Sequence, residues 1–202
     1  MLNNSQIFAL LFLMLGPFKI LGPFVKITKN ADTALARKIA VRAILFSIGA
    51  LVLAAFLGEN ILNKYDIPIP ILSLSGGIIL FLVALLNIIH QFQPTEQEDE
   101  PVGLPPLSLA INPLAFPTIV TPYGIAAVIV FISLSPDLNS KLMVVAIVVG
   151  IMLLNLLVMF FARRIFNTLA LILVLLGAVL GVVQVALGVK IIYNSLNTLL
   201  SS

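Results

Sequence analysis

Lys19 stands inside the first long apolar run, between Gly16-Pro17-Phe18 and Ile20-Leu21-Gly22-Pro23. A cation at membrane depth is expensive, and by default it faces a cavity, a partner or a transport pathway. A carboxylate or phosphate on a solute would satisfy it. So would backbone carbonyls at the end of an interrupted helix, where the helix dipole favours positive charge. No Asp or Glu lies deep in an apolar run. Asp32, Glu59, Asp66 and Asp137 border such runs, and Glu96, Glu98, Asp99 and Glu100 share one hydrophilic stretch. Lys19 is therefore expected to lack a buried acidic partner, and a carboxylate proton relay is not expected.

The prolines explain why a lysine could be tolerated there. Pro17 and Pro23 delete the hydrogen bonds that would end on the carbonyls of Leu13 and Lys19. A second interruption, Asn112-Pro113-Leu114-Ala115-Phe116-Pro117 followed by Thr121-Pro122-Tyr123-Gly124, frees the carbonyls of Leu109, Pro113 and Thr118. Freed backbone groups need partners in hydrocarbon, so irregular backbone belongs inside the protein or along a wet cavity. The candidate solute-binding residues are thus Gly16, Pro17, Lys19, Gly22 and Pro23 in one segment, and Asn112, Pro113, Pro117, Thr121 and Pro122 in the other. Ser75, Gly76 and Gly77 form a third candidate group. The structural alternatives are two kinks and, for Gly76-Gly77, close helix packing. Asn155 and Gln184 read as interhelical hydrogen bonds. His90, the single histidine, reads as interfacial.

Catalysis has little to work with. One His, no Cys and no buried carboxylate pair leave no acid, base or metal constellation, so an enzyme is not expected. No cofactor is expected, and no Gly-x-x-x-x-Gly-Lys loop is present for ATP. Sodium or a proton as coupling ion, and assembly into a homo-oligomer, are both compatible with the composition. A net charge of +3 scattered along an apolar chain is no nucleic-acid footprint. The expected partners are a small-molecule solute and membrane lipids.

The elements that must hold these residues are transmembrane helices. Of the 202 residues, 61% are hydrophobic and 9% charged, far from the balance of a soluble domain. Runs of roughly 20 apolar residues cross a hydrocarbon core of about 30 Å. Hydropathy predicts six all-α spans, Gln6–Val25, Ile39–Gly58, Ile67–Phe92, Pro105–Leu134, Leu142–Ala162 and Thr168–Tyr193, with the first and fourth broken. Asn30 or Asp32 should cap the second helix, and Asn139 or Ser140 the fifth; Pro68 and Pro70 fit the first turn of the third. No Lys or Arg precedes Ile7, so the first span is not expected to be a cleaved signal.

Lys26, Lys29, Arg37, Lys38, Arg42, Arg163 and Arg164 fall around the first and fifth connections; Lys64, Lys141 and Lys190 fall opposite. The positive-inside rule then puts the first, third and fifth connections in the cytoplasm and both termini outside. The third, residues 93–104, is an acidic hydrophilic linker between residues 1–92 and 105–202. Each half holds three spans and begins with a broken one, so the halves would insert as an inverted repeat. Ser75-Gly76-Gly77 through Ala84-Leu85 also lines up with Gly177-Ala178-Val179 through Ala186-Leu187. Interrupted helices at matching places in two halves point to a transporter site near the midplane.

Gly16-Pro17-Phe18-Lys19, Pro23-Phe24 and Thr28-Lys29, the basic entry Ala36-Arg37-Lys38-Ile39-Ala40, Ser75-Gly76-Gly77-Ile78 with Phe81-Leu82-Val83-Ala84, and Pro113-Leu114-Ala115-Phe116-Pro117 with Thr121-Pro122 together resemble the MarC family of small bacterial and archaeal membrane proteins. The resemblance covers nearly the whole chain. It implies a polytopic protein of the bacterial inner or archaeal plasma membrane. It also implies a secondary transporter or exporter of a small polar solute, a neutral amino acid first, related to LysE-type exporters. An amphipathic anion such as a lipid phosphate, or a non-transporting regulatory role, are the alternatives. The chain departs from the family pattern at Gly16, at Lys19 and at Thr121-Pro122-Tyr123, all within the expected site.

Overall fold

The computed structural model describes residues 4–91 and 104–201, with backbone alone at 90, 91, 166–174 and 176, and its regular elements are all helical. The first span is broken where the sequence places the prolines. Helix α1 (Asn4–Leu15) ends at Gly16, whose backbone is extended (φ −75°, ψ 174°); one 3-10 turn, Pro17–Lys19, leads into α2 (Leu21–Ile27). Gly16 N closes the last α1 hydrogen bond, onto Phe12 O at 2.8 Å. Pro17 has no N–H with which to continue the ladder.

Helix α3 (Thr33–Lys64) opens on Asp32, whose carboxylate accepts from Leu35 N at 2.7 Å. Of the two caps expected for this helix, the chain uses Asp32. Helix α4 (Ile69–Gln91) begins with Pro70 in its first turn, and Ile71 N donates to Pro68 O at 2.9 Å. The fourth span comprises a 3-10 turn (Leu107–Ala110), an irregular coil (Ile111–Ile119) and α5 (Pro122–Ser133). Asn112 (φ −126°, ψ 121°) and Phe116 (φ −130°, ψ 130°) are extended within that coil, each just before a proline, as steric conflict with the following ring demands. The two arms of this span meet at 62°.

Helices α6 (Leu138–Phe160) and α7 (Ala162–Leu200) complete the bundle. The cap of α6 is Asp137, and neither Asn139 nor Ser140 as expected: its carboxylate accepts from Ser140 N at 3.4 Å and Ser140 Oγ at 2.5 Å. An ionised cap also meets the positive end of the helix dipole, which a neutral hydroxyl or amide does not. Helices α3 and α7, at 32 and 39 residues, outrun the spans expected at Ile39–Gly58 and Thr168–Tyr193. Hydropathy marks the lipid-buried stretch, whereas helical hydrogen bonding continues through the polar ends. Among the described residues, five helical segments are long and apolar enough to cross a membrane, and the bent fourth span makes six. The acidic linker expected at 93–104 lies outside the described residues except for Leu104, as does the side chain of His90.

Two polar contacts order the connections. Lys141 Nζ pairs with Glu59 Oε1 at 2.5 Å, so the α3 end and the α6 start share one face. Arg163 donates to Thr28 O and, at 2.5 Å, to Ala31 O, so the α2–α3 and α6–α7 turns share the other. Within the bundle, α4 packs most extensively on α7, α3 packs on α6, and α1 packs on both α5 and α6. Gly77 lies against Ile191, Phe81 against Gly188 and Ile88 against Gly181, so α4 and α7 run antiparallel. A Cβ at Gly188 would stand 2.9 Å from Phe81 backbone atoms; small residues are what permit such an approach. The core holds Leu11, Leu15, Ile39, Ile44, Leu51, Leu114, Ile151 and Met152, while Leu53, Leu157 and Val182 are at least half exposed. Apolar side chains on the outer surface suit a chain whose solvent is lipid.

Candidate functional site

The broken end of α1 is the polar hub of the bundle. Ending a helix there leaves the carbonyls of Leu13, Met14 and Leu15 without amide partners. Each accepts from a different side chain. Gln184 Nε2 of α7 donates to Leu13 O at 3.0 Å, Lys19 Nζ to Met14 O, and Asn155 Nδ2 of α6 to Leu15 O at 2.8 Å. Three consecutive carbonyls are thus capped from three separate elements. Asn155 and Gln184 make the interhelical bonds expected of them, and their acceptors are the main-chain groups of the break itself.

Lys19 also reaches α5. Its Nζ lies 3.2 Å from Tyr123 Oη and 5.0 Å from the centre of the Tyr123 ring. Tyr123 is buried, in the first turn of a helix capped by Thr121, whose Oγ1 accepts from Gly124 N at 3.2 Å. A Cβ on Gly124 would stand 2.6 Å from the Leu15 side chain and 2.8 Å from Thr121 Oγ1. The bare glycine lets the start of α5 lie directly against the end of α1. The buried Oδ1 of Asn155 has no hydrogen-bond partner among the described residues. An orphaned acceptor in such a place calls for a water or a ligand donor.

The structure gathers some of the expected residues here and disperses others. Gly16 and Pro17 are buried at the break, and Gly22 and Pro23 follow it, half-buried, in α2. A Cβ at Gly16 would overlap the Phe12 carbonyl oxygen, whereas one at Gly22 would meet nothing within 4 Å. Thr121 is buried beside Leu15 and Tyr123, although its hydroxyl serves as a local helix cap. Asn112, Pro113, Pro117 and Pro122 are exposed, and the Lys19 ammonium bonds to Met14 O and Tyr123 Oη instead. Ser75 is also exposed, and its hydroxyl donates to Ile71 O of its own helix at 3.0 Å. Gly76 meets Ala126 and Gly77 meets Ile191 and Ile192, which is the packing role. Among the described residues, no group of three or more His, Asp or Glu could hold a metal ion.

Tyr123 was missed in the sequence. Its only signal was position, directly after the Thr121-Pro122 pair at the second break. Arg163, which the sequence marks only as a positive charge, bonds two carbonyls of the turn after α2.

Comparisons with known proteins agree with this architecture. A UPF0056 membrane protein of Methanocaldococcus jannaschii is 23% identical over 94% of this chain and 93% of its own length. The UPF0056 inner membrane protein YhgN of Escherichia coli is 30% identical over 67% of this chain and 66% of its own. A UPF0056 membrane protein of Buchnera aphidicola is 33% identical, with the match spanning 54% of this chain and 56% of that protein. No solved structure matches. The family described as MarC family integral membrane protein matches residues 3–200. With six candidate spans, two of them broken, and that match across nearly its whole length, the chain belongs to the MarC family of integral membrane proteins.

Proposed function

We propose that the protein is a secondary transporter of a small polar solute, with the site at the α1 break and a neutral amino acid as the first candidate. The observation that carries this reading is the pairing, on adjacent carbonyls, of a lysine and an orphaned acceptor. Lys19 Nζ sits on Met14 O, and Asn155, anchored on Leu15 O, leaves its Oδ1 unbonded. A donor for carboxylate beside an acceptor for ammonium complements the two ends of a zwitterion. The pairing of third span with sixth and of second with fifth supports an inverted repeat, and rocking of the halves would alternate access. The basic residues around the first and fifth connections support a cytoplasmic position for that face and outside termini. The chemistry is carriage and not catalysis.

A second reading, a non-transporting membrane protein in which Lys19 merely caps α1, has one observation in its favour: Nζ already holds Met14 O and Tyr123 Oη. Thermal unfolding of the purified protein with free amino acids, their methyl esters and their N-acetyl derivatives separates the two. Ligand that binds only the folded state raises its stability by about 2.7 kcal/mol at one hundred times Kd. Transport predicts stabilisation by a free neutral amino acid and by neither derivative. Equal, null responses to all three would favour the cap.

A further inference from the structure

A second feature lies away from the α1 break, on the lipid-facing side of the early turns of α3. Here a groove of about 780 Å³ opens sideways between α3, Ile111 and Phe160. Successive turns of α3 present Arg37 with Lys38, then Val41 with Arg42, then Leu45 with Phe46. Chemistry therefore passes from charged, through mixed, to apolar over two turns, about 11 Å of helix. A phospholipid changes polarity in the same order, from phosphodiester to acyl chain.

Among the described residues the cations have no competing claim from acids. No carboxylate among the described residues pairs with Arg37, Lys38 or Arg42, and Asp32, the nearest in sequence, caps its own helix at Leu35 N. Arg37 is held with its guanidinium 5.8 Å from the centre of the Phe160 ring, a contact that orients the cation without neutralising it. Below it, Leu45 (65% exposed) and Phe46 (45%) stand uncovered at the depth of hydrocarbon.

We propose that this groove binds one anionic phospholipid. The phosphodiester lies among Arg37, Lys38 and Arg42, and an acyl chain follows Leu45 and Phe46 past Ile111. By the orientation proposed above, the lipid belongs to the cytoplasmic leaflet. The inference does not depend on transport, since nothing in the groove touches Lys19.

Native mass spectrometry of the full chain in detergent tests it, with phosphatidylglycerol, phosphatidylcholine and glycerol 3-phosphate as probes. Phosphatidylglycerol should be retained, and the other two should not. Arg37→Gln, Lys38→Gln and Arg42→Gln together should weaken retention on the order of 100-fold, from about fivefold per cation near a membrane surface. Arg37→Lys with Arg42→Lys keeps the charge and should keep the selectivity, which separates lost binding from lost folding. Equal retention of phosphatidylcholine, binding of glycerol 3-phosphate alone, or retention unaffected by the triple substitution would overturn the proposal.

Discussion

The two proline breaks carry similar sequence signals and end in different environments. At the first, three consecutive carbonyls are taken by Gln184, Lys19 and Asn155, drawing α6 and α7 onto the end of α1. At the second, Asn112, Pro113, Pro117 and Pro122 face outward, and the polar work falls to Thr121, which caps α5 from within the same chain segment. Proline thus opens a helix, but the neighbours that arrive decide whether the opening becomes a site. The first break is the hub; the second positions Tyr123 against it.

Substitutions that treat the two breaks alike should reveal the asymmetry. The largest effect is expected at Gly16→Ala, where the new methyl overlaps the Phe12 carbonyl; overpacking of this kind costs about 1–3 kcal/mol, sometimes more. Gly22→Ala, six residues on with open space beside it, should stay within about 0.5 kcal/mol. Thermal unfolding in detergent compares the pair, and equal losses would mean the break is not tightly built.

Next comes Asn155→Leu, which strands Leu15 O in a buried setting and should cost about 1–3 kcal/mol. Asn112→Ala at the outward break should fall within about 0.5 kcal/mol. A larger loss at Asn112 would invert the ranking of the breaks. The smallest effect concerns an exposed cap of the second half. Hydrogen bonding from the Ser140 hydroxyl holds the Asp137 carboxyl below its ordinary range. A depressed carboxylate contributes stability above its unfolded pKa, near 3.9, and loses it as pH falls through the lower folded value. Stability from this group should therefore be flat at neutral pH. Ser140→Ala should move the Asp137 titration upward, as followed by carboxyl NMR.

Much of the fold was legible because lipid imposes a simple rule on composition. Six spans, the break at Gly16-Pro17 and the disruption at Asn112-Pro113 through Phe116-Pro117 all follow from apolar length and from missing amides. A cap at Asn30 or Asp32, of which the chain uses Asp32, and the interhelical roles of Asn155 and Gln184 were also readable from residue type. Less readable was direction. Helical phase could not say that Asn112 and Ser75 would point outward, because both lie in segments where apolar residues surround the helix and no polar stripe marks the inner face. Tyr123 was hidden for a related reason. Its meeting with Lys19 depends on the crossing of α1 and α5, a tertiary contact over more than a hundred residues that Gly124 permits but does not announce. Cap choice at α6 turned on a carboxylate competing with its neighbours for the same helix start, and type preferences alone ranked those neighbours too evenly.

The central claim is that the first break, and not the second, holds the solute. Flux of a labelled neutral amino acid into liposomes containing the wild-type chain, Lys19→Met or Asn112→Ala tests it most directly. The expected result is transport by the wild type and Asn112→Ala, and its loss in a correctly folded Lys19→Met. Undiminished flux through Lys19→Met would contradict the account.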